Sequence, residues 1–562
     1  MVNISISPDR NKLAIIPRGY DPEVIRMMEN VPGKRWMRQF NCWFAPFSNE
    51  TLIYIKSLLS QVTEISVDQK VQDFLNDQDT RANSIIDLKT QPVTDATLPA
   101  DLTFTTKPFD HQKIAISLGL KNRNFAFFME MGTGKTKVIL DIIGYYLPKI
   151  KELRRPALVV CPVSVLWNWE VQIKKHRPEL KVQVLSGSLN GKIMGLISDA
   201  DVFIVNYESA WRMYESLAKI KWGFVILDES TRIKNRAAKQ AKAMIKLGSV
   251  ASRRYILTGT PAPNSPLELY NQIRFLDPNV FGDNWYFFRD RYCIMGGYGG
   301  YQVLGYKNLE ELSKKVSGIS YRVLKSECLD LPDKIYKQYR MPMTTVQAKA
   351  YKELSEELVT EVDGTEIRAE VVLAKLTKLR QIASGFVYLP DKSFKFESNK
   401  LEKLEEIVLE YAKNHKIVIW ASFKEELNII SKKLDEHKIV HSILDGSTAP
   451  LQRQAMIGSF MNDPNHRIFL ANQRAGGIGI DLYAADYCIF YSNDYSPEIR
   501  LQAEDRLHRI GQKNHVTYID LISKGSIDST ISWLLVHKQD LSNQVMSGKI
   551  KFKEIMYGND NE

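Results

Sequence analysis

The chain has 562 residues, 44% of them hydrophobic and 25% charged, with a net charge of +11 and an isoelectric point near 9.0. That length is too great for one core and implies several domains, and the composition is globular, excluding a fibrous or disordered chain. No apolar run of about 18 residues is present, and charge and proline mix early, so neither a membrane span nor a secretory leader is expected; the basic balance favours a polyanionic partner. Five cysteines, Cys42, Cys161, Cys293, Cys328 and Cys488, lie far apart. They lack both the two-residue spacing of a zinc site and the density of a disulfide framework, so a reducing compartment is expected.

Residues 1–60 read as a small strand-rich αβ unit. Ile4 and Ile6 alternate with polar positions, Leu13 to Ile16 is a second apolar run, and Asp21-Pro22 has the form of a helix N-cap and first position before Val24 to Met28. Cys42-Trp-Phe-Ala-Pro46 follows, with Ser48 placed to cap a helix. Trp36 and Trp43 are either the core of a domain too small to hold together otherwise or, with Lys34, Arg35 and Arg38 beside them, a surface for DNA backbone and unpaired bases. The charge then reverses: residues 1–60 carry 8 basic and 5 acidic side chains, whereas residues 61–100 carry 3 and 7. With Pro92 and Pro99, this second stretch is expected to be an acidic linker.

From Pro108 short apolar strands alternate with helical patterns, as in a parallel sheet covered by helices. Phe125 to Met129 reads as a strand, Met131-Gly-Thr-Gly-Lys-Thr136 as a glycine turn and Val138 to Leu147 as a helix. Gly132 and Gly134, with Met131 and Thr133, let backbone N–H groups turn toward phosphate oxygens at a helix start; Lys135 would reach the outer phosphates and Thr136 would bind Mg²⁺. The usual eight-residue phosphate-loop pattern has a glycine where this chain has Met129. Further strands are expected at Leu158 to Cys161, Val202 to Val205, Phe224 to Leu227 and Tyr255 to Leu257. After the third come Asp228 and Glu229, which read either as an ordinary helix cap or as a metal-holding carboxylate with a neighbour that orients water. Their position some 90 residues after the glycine turn favours the second reading.

Residues 276–395 are expected to be helical and aromatic. Phe281 to Tyr292 reads either as a buried aromatic cluster or as a nucleic-acid surface. A second alternating region, 396–540, has strands at Lys416 to Ala421 and Arg467 to Ala471, then Arg474-Ala-Gly476 and a glycine cluster running to Gly479 and Asp481. Arg506 and Arg509 fall three apart on an expected helix, where they would share a face. Residues 541–562 form a charged tail.

Taken together, Phe109-Asp-His-Gln112, Glu130 to Thr136, Val160-Cys-Pro-Val163 with Trp167 and Trp169, Asn206-Tyr-Glu208, Asp228 to Asn235, Leu257-Thr-Gly-Thr-Pro261, Ala475 to Leu482 and Gln502 to Gln512 resemble the Swi/Snf-type DNA translocases of helicase superfamily two. The resemblance covers about 104–540 and implies an α/β fold of two RecA-like parallel-sheet lobes, at 101–275 and 396–540, with a helical insertion and brace at 276–395. It implies an ATP- and Mg²⁺-using, DNA-dependent ATPase. Lys135, Asp228, Glu229, Arg506 and Arg509 would be catalytic, Thr136 and Asp228 would hold the metal, and Gln112, Gly479 and Asp481 would join the nucleotide-binding loop. Asn206, Thr258, Gly259, Arg474 and Gly476 would meet DNA. Ser230-Thr231 stands where the family commonly has Ala-His, which bears on the link from ATP to the DNA side. The segment from Trp36 to Pro46 resembles the HARP module of annealing helicases, implying forked or bubbled DNA beside duplex as partner. The expected protein is a soluble monomer with no membrane partner, cytoplasmic in a bacterium or phage-infected cell or nuclear in a eukaryote, working beside single-strand-binding or replication proteins. A strand-separating helicase and a non-catalytic ATP-switched clamp are the alternatives.

Overall fold

Continuous apolar runs, rather than alternating ones, make the centre of this structure. The computed structural model describes residues 2–6, 12–17, 28, 31, 34–46, 51, 65–69, 71–72, 98–152, 155–282, 284–297, 299, 302–357, 359–362, 365–368, 372–390, 392–476, 480–509 and 511–547. The chain divides into one compact unit built from 1–323 and another from 324–541.

The first unit opens with β1 (Val2–Ile6), β2 (Lys12–Pro17), β3 (Arg35–Met37), β4 (Cys42–Pro46) and β5 (Ile65–Val67), which form a sheet in the order β3-β4-β2-β1-β5. Ile4, Leu13, Ala14, Ile15, Cys42 and Ala45 are buried among its described side chains. β5 pairs in parallel with β1, so the small module takes in residues beyond 60. The helices expected after Pro22 and Ser48, most of 61–100 and the tail from 548 lie outside the described residues.

The larger sheet follows: β6 (Asn124–Met129), β7 (Ala157–Cys161), β8 (Val182–Val184), β9 (Val202–Asn206), β10 (Trp222–Asp228) and β11 (Ala251–Leu257). After a hairpin of β12 (Cys293–Gly296) and β13 (Gln302–Tyr306), β14 (Ser320–Val323) completes seven strands in the order β14-β6-β11-β10-β7-β9-β8, every pair parallel. β7 and β9 are buried at every position because helices cover both faces, as parallel sheets require. Because every strand runs parallel to its neighbours, the loops after β6, β7, β9, β10 and β11 gather at one edge, the carboxyl ends.

In the second unit, β15 (Lys334–Met341) precedes two small hairpins, β16 (Val359–Val362) with β17 (Thr365–Arg368) and β18 (Phe386–Tyr388) with β19 (Ser393–Lys395). β20 (Ile417–Ala421), β21 (His441–Leu444), β22 (Ile468–Asn472), β23 (Tyr487–Phe490) and β24 (Val516–Ser523) join β15 in a six-stranded parallel sheet, order β15-β24-β23-β20-β22-β21. β20 shows why its faces separate: Ile417, Ile419 and Ala421 enter one core and Val418 and Trp420 the other, the two-residue period of a strand. Helices Thr345–Glu357 and Val372–Ala383 share a third core through Leu354, Leu379 and Ile382.

The stretch 276–395 is thus not purely helical: β14 and β15 are the outer strands of the two large sheets. β15, Lys-Ile-Tyr-Lys-Gln-Tyr-Arg-Met, lacks an apolar run because most of its side chains are exposed at an edge. Phe281, Phe288, Tyr292 and Tyr270 pack ring against ring, with Phe281 and Phe288 at 4.7 Å, which makes the aromatic stretch a core cluster. All five cysteines are free, four of them buried. Among the described residues no helix is long and apolar enough to cross a membrane.

Candidate nucleotide site

The phosphate loop is shaped by two glycines and braced from below. Gly132 and Gly134 have φ of 85° and 90°, a backbone that side-chain-bearing residues avoid. A Cβ on Gly134 would fall on the Gln112 amide nitrogen. Met129 ends β6 fully buried, so the turn lies wholly within Glu130 to Gly134 and needs no glycine at 129. Lys135 begins the helix Lys135–Glu152, and its Nζ donates to the Met129 carbonyl at 2.9 Å, folding over the loop. Thr133 Oγ1 donates to the Glu130 carbonyl at 2.7 Å. Its own carbonyl accepts from Gln112 Nε2 at 3.0 Å and from His111 Nε2 at 2.8 Å, which fixes the proton of His111 on Nε2. Farther along, Asp141 takes Lys137 at 2.6 Å and Arg177 Nε at 3.0 Å, a buried network that ties this helix to the end of Leu166–His176.

The acidic pair leaves β10 two strands away from β6. Asp228 Oδ2 accepts from the indole N–H of Trp169 at 2.8 Å, and Oδ1 from the Glu229 N–H at 3.1 Å. Glu229 has φ 51°, a left-handed conformation unusual for a residue with a side chain and a form of stored strain found at working sites. Thr258 Oγ1 donates to Glu229 Oε2 at 3.3 Å. Gly259 closes the arrangement: a Cβ there would lie 3.2 Å from the Met131 nitrogen, so the loop after β11 packs directly on the phosphate loop. Ser230 is buried and donates to Gln272 Oε1 at 2.6 Å, while Gln272 Nε2 donates to the Pro261 carbonyl at 2.6 Å. Through Gln272, the Ser230 that departs from the usual pattern joins the acidic loop to Thr258–Pro261.

Burial, and then the Glu229 charge, push the Asp228 carboxyl up to about 6 from an ordinary 3.8. The folded protein therefore holds this proton more tightly than the unfolded chain, so its stabilising contribution is present below about pH 4 and lost as pH rises through about 6. Asp228→Asn should raise stability at neutral pH by on the order of 2 kcal/mol, discounted for the partly exposed carboxylate, with the gain vanishing near pH 4. Trp169→Phe should do the opposite, because the indole donor favours the ionised form. Thermal melts at the two pH values check this: a Trp169→Phe loss equal at both would assign the indole to packing alone.

In the second unit, the helix Pro497–Glu504 stops before the arginines, which lie in successive turns rather than sharing a helical face. The reason is local: Arg506 Nε donates to the Gln502 carbonyl at 2.9 Å, taking the acceptor that the next helical N–H would use. Arg506 is buried and also donates to the Ile480 carbonyl at 3.2 Å, whereas Arg509 is partly exposed and paired with Asp481. Arg474 is exposed and paired with Asp494 at 2.9 Å. Gly476 closes the short helix Gln473–Gly476, and Gly479 lies outside the described residues.

Residues 32–385 match the model of the SNF2-related domain, and residues 399–511 that of the helicase conserved C-terminal domain. The chain belongs to the SNF2-related family. It is 30% identical over 475 residues to the chromatin structure-remodeling complex subunit snf21 of Schizosaccharomyces pombe, covering 78% of this chain and 39% of that protein. Against the TATA-binding protein-associated factor mot1 of Aspergillus fumigatus it is 26% identical over 529 residues, 82% of this chain and 28% of that protein. The chain thus spans 28–39% of the length of these two relatives. The solved Sulfolobus solfataricus SWI2/SNF2 ATPase core in complex with dsDNA is 26% identical, with a TM-score of 0.38 over 83% of this chain and 98% of that one.

Within this SNF2-related chain, Lys135, Thr136, Asp228 and Glu229 all stand at the carboxyl edge of one sheet. Several other residues occupy unexpected places. Gln112 is buried, its Oε1 accepting from the Phe109 N–H at 3.1 Å and its Nε2 spent on Thr133, so its amide supports the loop. Thr258 is buried against Glu229 rather than turned to a DNA surface, and Asn206 Oδ1 caps the helix Tyr207–Arg212. Trp169 is 1% exposed and serves Asp228, whereas Trp167, two residues earlier, is 53% exposed. Sequence reasoning grouped Trp169 with Trp167 in a segment resembling those that touch the tracked strand and did not link it to Asp228, and it did not single out Gln272. Trp169 shares an aromatic-rich segment with Trp167, and only burial separates their roles.

Proposed function

We propose that this chain is an ATP-dependent DNA translocase of the Swi/Snf type, hydrolysing ATP to move on duplex or branched DNA. The observation that carries the reading is the convergence of the strained Glu229, the Trp169-held Asp228 and the Gly132–Gly134 cradle at one sheet edge. A glycine turn with inward N–H groups, a lysine and a helix start fit a nucleoside triphosphate. Among the described residues no cluster of three or more His, Cys, Asp or Glu converges. Mg²⁺ would be held by Thr136 and Asp228 with the nucleotide's own phosphate oxygens, where it would neutralise charge on those oxygens. Glu229 then orients or deprotonates water, Lys135 exchanges its carbonyl partners for phosphate, and Arg506 and Arg509 are the cations offered to the transferring phosphoryl group. The SNF2-related and helicase C-terminal matches support a DNA-driven motor.

The finer reading is a motor aimed at forked or bubbled DNA. Trp36 is 38% exposed and meets Trp43 edge to face at 5.0 Å, with Phe40, Arg35 and Arg38 exposed on the same short segment. Aromatic faces beside cations suit unpaired bases and phosphate. ATP hydrolysis measured with duplex, single-stranded and forked DNA and with RNA tests both levels. Stimulation by duplex or fork supports the translocase, stimulation only by RNA or single strands favours strand separation, and no hydrolysis on any of them leaves an ATP-switched clamp. Trp36→Ala with Arg38→Ala should remove a preference for forks while duplex-stimulated turnover persists; an unchanged preference would remove the N-terminal face from the account.

A further inference from the structure

At the amino-terminal edge of the seven-stranded sheet, opposite the phosphate loop, lies a cavity of about 480 Å³ lined by Arg123, Tyr146, Lys149, Arg155, Phe224 and Arg253 among others. Four of its ten lining residues are cationic and none is acidic. Glu152, one turn beyond Lys149 on the same helix, is not part of the lining. Two of the cations are held in place by neutral groups. Arg253 donates to the Tyr146 hydroxyl at 2.5 Å and lies 4.1 Å from that ring's centroid, and Arg155 Nη1 donates to Ser252 Oγ at 3.3 Å. Among the described residues none of the four has a carboxylate within ion-pair distance, unlike Lys137, Arg177, Lys325 and Arg500, whose charges are all answered.

The floor is built to stay open and fixed. A Cβ on Gly223 would fall on the Arg155 carbonyl, and the Gly223 N–H donates to the Pro156 carbonyl at 2.9 Å, locking the segment that carries Arg155 against β10. Like charges gathered in a cleft repel one another, and an arrangement that pins them there without counter-charges is one that an anion stabilises.

We infer that this cavity binds an anion carrying closely spaced phosphates, at a site separate from the nucleotide loop. Free polyphosphate and the phosphates of a nucleic-acid backbone share that chemistry, and two probes distinguish them. The protein used is the full chain carrying Lys135→Ala, so that the phosphate loop contributes nothing. Binding of inorganic tripolyphosphate and of a short blunt duplex is measured with and without Lys149→Glu plus Arg155→Glu, and with the milder Lys149→Gln plus Arg155→Gln as a control for folding.

A tenfold or greater loss of tripolyphosphate binding in both double variants, duplex binding being unchanged, assigns the site to small polyphosphates. A loss confined to the duplex, with the slope of log affinity against log salt falling by about 2, assigns it to nucleic-acid backbone. Unchanged binding of both probes, in variants that melt like the parent, overturns the proposal. ATP hydrolysis measured without DNA by the double variant with Lys135 intact should persist, because neither residue belongs to the nucleotide machinery.

Discussion

Arg509→Ala should lower DNA-stimulated ATP turnover by about 10³-fold or more, the usual worth of a cation that meets a transferring phosphoryl group, while the melting temperature stays where it is. The separation follows from placement. Arg509 is partly exposed, and Asp481 is its only ion-pair partner among the described residues, so removing it leaves no buried group unmet. Arg506→Ala should reduce turnover and also destabilise the second unit, since the buried carbonyls of Gln502 and Ile480 each lose a donor, on the order of 1–3 kcal/mol. Single-turnover hydrolysis beside thermal melts of both variants decides the matter. Turnover within tenfold of the parent for Arg509→Ala would remove it from the chemistry.

The second large effect is expected at Glu229. Glu229→Gln keeps the length and shape of the side chain, and the Thr258 hydroxyl can still donate to its amide oxygen, so the left-handed backbone and its neighbours stay in place. What is lost is the capacity to accept a proton from water, which should cost about 10²- to 10⁴-fold in turnover with nucleotide affinity retained. A fluorescent ATP analogue and a steady-state assay measure the two quantities separately. Loss of binding in step with turnover would show that Glu229 shapes the pocket instead of acting on water.

The two effects rest on different parts of the chain, and the sequence exposes them unequally. The strands at 125–129, 158–161, 202–205, 224–227, 416–421 and 467–471 are legible because a strand buried on both faces must be an unbroken apolar run. β15 is not, because an edge strand leaves one side to solvent, and Lys334 to Met341 carries the polar pattern of a loop; β14 is not, because its four residues, Ser-Tyr-Arg-Val, are too few and too mixed to form an apolar run although three of them are buried. The expectation that Arg506 and Arg509 share a helical face fails for a comparable reason. Spacing of three assumes that the backbone hydrogen bonds continue, and here the Arg506 side chain has taken the carbonyl that they need.

What the sequence by itself determined is the local chemistry: a glycine cradle ending in Lys135-Thr136, an acidic pair at the end of an apolar strand, and two arginines in a later αβ region. Each is set within a few residues, where steric freedom at glycine and charge at fixed spacing act over a turn or less. Only the tertiary structure decided which groups serve them. Trp169 reaches Asp228 from 59 positions away, Thr258 reaches Glu229 from 29, and Gln272 joins Ser230 to Pro261. It also brought Arg123 and Arg253, 130 positions apart, to the lining of one cavity with no acidic lining residue. Those pairings depend on the order in which parallel strands are laid side by side, a choice made by burial over the whole sheet and written in no single stretch of the chain.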